Sequence, residues 1–183
     1  MENKPYSHLI TKSKHQMKKI LTLVTVIVAF AMTASAQKYD VPENYVLKDK
    51  ADYAPYETQF INTTDWLQAT PWTEEADKRA VANKFLMEWM TGSPSVSIPI
   101  GHTVIELTQK NDDLLLTFMC FYAKYTLQHK DNFDKNKASF EAIKAVLDKY
   151  TLEKAHKKDS KIEKLIKINQ EGNLESWVTK NLE

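Results

Sequence analysis

Apolar side chains recur at helical spacing through most of the chain, and polar punctuation divides them into short segments. Tyr56, Phe60, Ile61, Trp66 and Leu67 predict one or two short helices to about residue 69. Pro55 suits a first turn there, and Thr70-Pro71 a stop. Val81, Phe85, Leu86, Trp89 and Met90 predict the next helix. Thr73 is its expected N-cap, and Glu74, Glu75 and Asp77 crowd a first turn where the helix dipole favours negative charge. Gly92, with Pro94 two positions on, is expected to end it. Residues 93–101 alternate Val96, Ile98 and Ile100 with serines and two prolines, which predicts an extended connector.

A short helix is expected from His102 to about Gln109, and Asn111 or Asp112 can cap the one that follows. In that helix Leu114, Leu115, Leu116, Phe118, Met119, Cys120, Phe121 and Tyr122 are apolar on nearly every side, so it belongs at the centre of the fold. Lys135 to about His156 predicts a longer amphipathic helix burying Phe140, Ile143, Leu147 and Tyr150. Ser160-Lys161-Ile162-Glu163 reads as a capping box opening a helix that buries Ile162, Leu165 and Ile166. Gly172 stops that helix, and Asn173 caps a last one with Leu174, Trp177, Val178 and Leu182 on one stripe. Short helices with short joints and no internal repeat predict an all-α fold: an irregular orthogonal helical bundle with one extended, Pro-containing connector.

The N-terminal residues show a different pattern. Met17-Lys18-Lys19 precedes an apolar stretch of thirteen residues, Ile20 to Met32, and Ala34-Ser35-Ala36 comes before Gln37. This is the three-part layout of a cleavable secretory signal over residues 17–36. The stretch is shorter than the ~20 residues of a comfortable membrane span. No cysteine follows it to take a lipid anchor. Residues 1–16 lack periodicity and read as an over-extended start ahead of Met17. The expected order is then a leader over 37–53 that packs by its tyrosines and a single helical domain over 54–183, in a protein of the periplasm or the secreted fraction.

Export changes the charge balance. The whole chain carries +1, but residues 1–36 hold five lysines and one glutamate, and what remains has 20 basic and 23 acidic residues, a net of −3. No basic field is left to recruit nucleic acid, which excludes that class of partner. A protein partner or a place in the cell envelope stays open. The one cysteine, Cys120, admits no intramolecular disulfide, and its apolar neighbours mark it as a small buried hydrophobe rather than a nucleophile. Three Gly and six Pro are few breakers, in keeping with helix.

Candidate chemistry falls into three groups. Ser93, Ser95, Ser97, His102 and Glu106 lie in one short stretch, with His102 and Glu106 four apart on one helix face. They would supply half of a hydrolytic site, but the G-x-S-x-G and H-E-x-x-H patterns are missing. A metal site needs three or four converging ligands, so no metal or other cofactor is expected. Tyr56, Phe60, Trp66, Trp72, Phe85 and Trp89 would line a pocket for an apolar or carbohydrate ligand, or simply fill the core. Lys157, Lys158, Lys161 and Lys164 would form an anion-binding face, or the solvated side of an amphipathic helix.

The run from Asp77 to Val96, and the tail from Leu165 to Leu182, resemble a family of small, uncharacterised exported helical proteins of Gram-negative bacteria. The resemblance implies an exported helical fold, no activity and no functional residue. The leading expectation is an exported helical binding or interaction module. The alternative is a small hydrolase or metal-dependent enzyme using His102 and Glu106 with a connector serine.

Overall fold

A computed structural model describes residues 39–182; the expected over-extended start, the signal segment and the first leader residues lie outside the described residues. Two 3-10 turns, Lys50–Asp52 and Ala54–Tyr56, lead into seven α-helices: α1 (Glu57–Ala69), α2 (Ala76–Gly92), α3 (His102–Thr108), α4 (Asp113–Gln128), α5 (Lys135–Leu152), α6 (Ser160–Gln170) and α7 (Leu174–Asn181). The described residues hold no strand, and the chain is all-α. Residues 93–101 turn at Pro94-Ser95 and then run on without helix to α3, because each proline removes an amide donor and restrains the residue before it.

The helix that is apolar all round is the one two cores share. Leu114, Phe118, Tyr122 and Tyr125 of α4 face a core built with α3, α5, α6 and α7. Its other side, Cys120, Ala123 and Leu127, packs on Phe60 of α1, on Phe85, Leu86 and Trp89 of α2, and on the leader's Tyr53. Lacking a solvent face, α4 can afford few polar side chains, and this accounts for its sequence. Tyr45 of the leader also lies against this second core, with its ring 5.0 Å from Phe85.

Three helix boundaries differ from the sequence reading, each for a tertiary reason. The N-cap of α2 is Glu75 in a left-handed conformation (φ 51°), not Thr73. The Trp72 amide upstream is held by Glu153 at 3.0 and 3.1 Å, and the chain leaves it through a turn in which the Glu74 amide donates to the Pro71 carbonyl at 3.0 Å. The N-cap of α6 is Asp159, not Ser160: its carboxylate accepts the Lys161 amide at 2.8 Å, and its own amide donates to the Tyr150 hydroxyl at 2.8 Å. Fully buried Asp159 has the Lys110 ammonium 3.6 Å from its other oxygen. Helix α5 ends at Leu152, four residues short of His156, whose ring instead packs on Tyr150 at 3.8 Å.

An element that hydrophobic periodicity does not reveal ties the two cores together. Lys149 in the last turn of α5 and Glu153 at its C-cap have side chains only 2% exposed and sit 2.6 Å apart. The Lys149 ammonium also donates to the carbonyls of Thr70 at 2.7 Å and Leu67 at 3.0 Å. Its three N–H donors are thereby used, two of them on the C-terminal end of α1, where a cation is favoured by the helix dipole. The Arg79 guanidinium donates to the same Thr70 carbonyl at 3.2 Å and pairs with Asp113 at 3.5 Å. Burial holds the Lys149 pKa below its ordinary value of 10.5, against the opposite pull of Glu153.

Gly92 ends α2, but not through a left-handed conformation; among the described residues the glycine with that backbone is Gly172, at φ 75° after α6. A Cβ on Gly92 would lie 1.8 Å from the Tyr53 hydroxyl oxygen and 2.4 Å from Cζ. The glycine is where the leader's buried tyrosine presses against the helix end. Gly92→Ala should therefore destabilise the protein by about 1–3 kcal/mol, the usual range for overpacking. In a Tyr53→Ala background the same change should cost much less; equal losses in both backgrounds, read by urea unfolding, would show that the contact is not the cause.

Candidate functional site

The structure separates the sequence candidates more than it gathers them. His102 and Glu106 do share a face of α3, with Nε2 and Oε1 3.5 Å apart, and the His102 side chain is 86% exposed. Glu106 is also engaged by Lys161 of α6, 3.1 Å from the same oxygen. That hydrogen bond, with the lysine's charge, holds the Glu106 carboxyl below the usual range. One carboxylate thus joins the expected hydrolytic pair to the expected lysine face, and it serves as an ion-pair hub between α3 and α6. The buried Ser93 hydroxyl accepts the Ser95 amide at 3.2 Å, while Ser95 and Ser97 are exposed. Among the described residues no serine hydroxyl bonds to His102 or Glu106, so nucleophile and base are not assembled.

The aromatic group divides the same way. Phe60, Phe85 and Trp89 are wholly buried, with the Phe60 and Trp89 rings 4.4 Å apart and the Trp89 indole donating to the Tyr53 carbonyl at 3.0 Å. Tyr56 closes over Phe85 with ring centroids 6.3 Å apart. These four fill a core rather than line a pocket. Trp66 lies apart, with the Lys78 ammonium 4.7 Å from its ring centroid, and Trp72 packs on the other core. In the lysine group, Lys158 approaches Glu163 at 3.9 Å, and Lys161 holds Glu106. The Lys157 backbone is clamped by the Asn111 side chain, giving an N–H···O bond of 2.7 Å and accepting one of 2.9 Å. Lys164 is exposed, without an ion pair among the described residues.

Two features went unseen in the sequence. The first is a cleft of about 410 Å³ where the start of α3, the first turn of α5 and the end of α7 meet. Its lining includes Phe118, Val104 and Leu182 as apolar floor, with the Lys135 and Lys180 ammonium groups and the His102 imidazole beside them. The seam beside it is tied by the Thr103 hydroxyl donating to the Asn181 carbonyl at 3.1 Å. Only His102 stood among the candidates, because Lys135, Lys180 and Leu182 come from segments more than thirty residues away in sequence, and no local spacing records that they meet it. The second is a polar cavity of about 20 Å³ between α1, α2, α4 and Lys149. Thr64, Gln68 and Asn83 line it, and each has a buried side-chain oxygen without a hydrogen-bond partner. That is room for one water, which would donate to two of the three.

No family model, curated protein or solved structure matches the chain.

Cys120 borders the polar cavity, and burial pushes its thiol up to about 12, against a smaller opposing pull from the Thr64 side chain. A thiol so protonated and enclosed cannot attack. In the folded protein at pH 8, an aromatic disulfide reagent should label Cys120 no faster than the chain unfolds, and at once in denaturant. Rapid labelling under native conditions would contradict the enclosed thiol.

Proposed function

We propose that the protein is an exported helical binding module whose ligand site is the cleft between α3, α5 and α7. The observation behind this reading is the cleft itself: about 410 Å³, within the usual size of small-molecule sites, with side chains presented by three helices anchored in one core. The signal-like segment supports export, and the family resemblance of the α2 region points the same way without adding an activity. The hydrolytic alternative draws on the His102–Glu106 pair. It lacks an assembled nucleophile, and its carboxylate is already committed to Lys161.

Two measurements test the proposal. Sequencing the N-terminus of protein recovered from the periplasm or medium should give a chain beginning near Gln37; a start at Met1 or Met17 would refute cleavage. Purified protein screened by NMR against a small-molecule library should show shifts concentrated at Phe118, Val104 and Ser139, with no turnover of ester, amide or phosphate substrates. A hydrolytic activity abolished by His102→Ala would replace the binding reading with the enzymatic one.

A further inference from the structure

We infer that the α3–α5–α7 cleft recognises a small organic anion with an apolar body, a monocarboxylate being the simplest member of the class. The inference rests on the binding reading above and adds the ligand's chemistry. Charge is the first argument. His102, Lys135 and Lys180 line the cleft, and none of the described lining residues is acidic. Lys135 and Lys180 are exposed and form no ion pair among the described residues, whereas many of the protein's other lysines do. Asp134, beside Lys135, turns its carboxylate to the amides of Asn136 and Lys137 at 2.8 and 3.1 Å, and Glu106 pairs with His102 and Lys161. Two lysines without an ion pair among the described residues, set beside a concave surface, concentrate anions.

A polar side chain also lines the cleft. Ser139, on the first turns of α5, is only 4% exposed, lines the cleft, and its hydroxyl has no hydrogen-bond partner among the described residues. A carboxylate drawn in by the lysines would find the Ser139 side chain in the lining, and an O–H···O⁻ bond is among the stronger kinds. The third argument is the floor. Phe118, Val104 and Leu182 supply carbon atoms to the cleft wall, so an aliphatic or aromatic body would rest against apolar atoms there, a contact that a bare inorganic ion lacks. Together these select a ligand with one compact anionic end and a short apolar one.

Calorimetry at low ionic strength with sodium octanoate, 1-octanol and inorganic phosphate tests this on the purified protein. Octanoate should bind at least about tenfold tighter than either of the others, the step expected for one charge-assisted hydrogen bond. The Lys135→Gln/Lys180→Gln variant and the Ser139→Ala variant should each weaken octanoate by about tenfold. Lys164→Gln, on the α6 face, should leave binding unchanged. All three positions are compatible with folding, which thermal melts would verify, since two are exposed and the serine loses only a hydroxyl. Equal binding of octanol and octanoate overturns the anion inference while leaving a binding cleft. Phosphate binding as tight as octanoate overturns the apolar part. A Lys164→Gln loss equal to that of the cleft variants reduces the effect to surface charge. If neither octanoate nor octanol binds, the inference fails together with the binding assignment of the cleft.

Discussion

A lysine ammonium enclosed between helices is the constraint on which the rest of the arrangement depends. Lys149 reaches out of α5 to the end of α1, and Glu153, one turn further, reaches the Trp72 amide just beyond it. Helix α1 belongs to the core with α2 and the leader, while α5 belongs to the core with α6 and α7. The pair therefore fixes the corner at which the chain passes from α1 to α2. The left-handed Glu75 and the delayed start of α2 follow from that corner. Burial depresses the Lys149 pKa, so the charged form is the costly one in the folded state, and the ion pair is not by itself a source of stability. What it supplies is satisfaction of backbone groups that would otherwise be buried without partners.

The same logic of tertiary ties governs the other half of the molecule. Asn111 clamps the Lys157 backbone, Tyr150 and Lys110 hold Asp159, and Glu106 collects His102 and Lys161. Each tie fixes a loop or helix end against the core containing α4. The cleft is a by-product of this construction: α3 is pinned to α6 by Glu106 and to α7 by Thr103, leaving a concavity over Phe118 and Ser139. Most of its lining residues belong to helices, with Pro99, Gly101 and Leu182 flanking them, which favours a preformed site over one that closes on its ligand.

The helices were legible in the sequence because apolar periodicity is a local signal, and α4 was recognisable as central because no polar stripe interrupts it. Cap positions were less so. Ser160 and Thr73 satisfy the local rules, but a buried Asp159 held by Tyr150, and a Trp72 amide held by Glu153, override them. The burial of Lys149 is not legible in the sequence, since nothing in its neighbours says that the end of α1 will pack there. Gly92 was expected to end α2, yet it is required by Tyr53, thirty-nine residues upstream. The cleft failed to show for the same reason: Lys135, Ser139 and Lys180 are unremarkable until the fold brings them beside His102.

Urea unfolding of Lys149→Met, Glu153→Leu and the double variant probes the buried corner directly. If the pair matters for the backbone groups it caps, each single change should cost about 3–5 kcal/mol, and the double variant should stay destabilised, because the Leu67 and Thr70 carbonyls and the Trp72 amide remain without these partners. A double variant as stable as the wild type, or more so, would show that Lys149 and Glu153 merely neutralise one another, and would contradict the account.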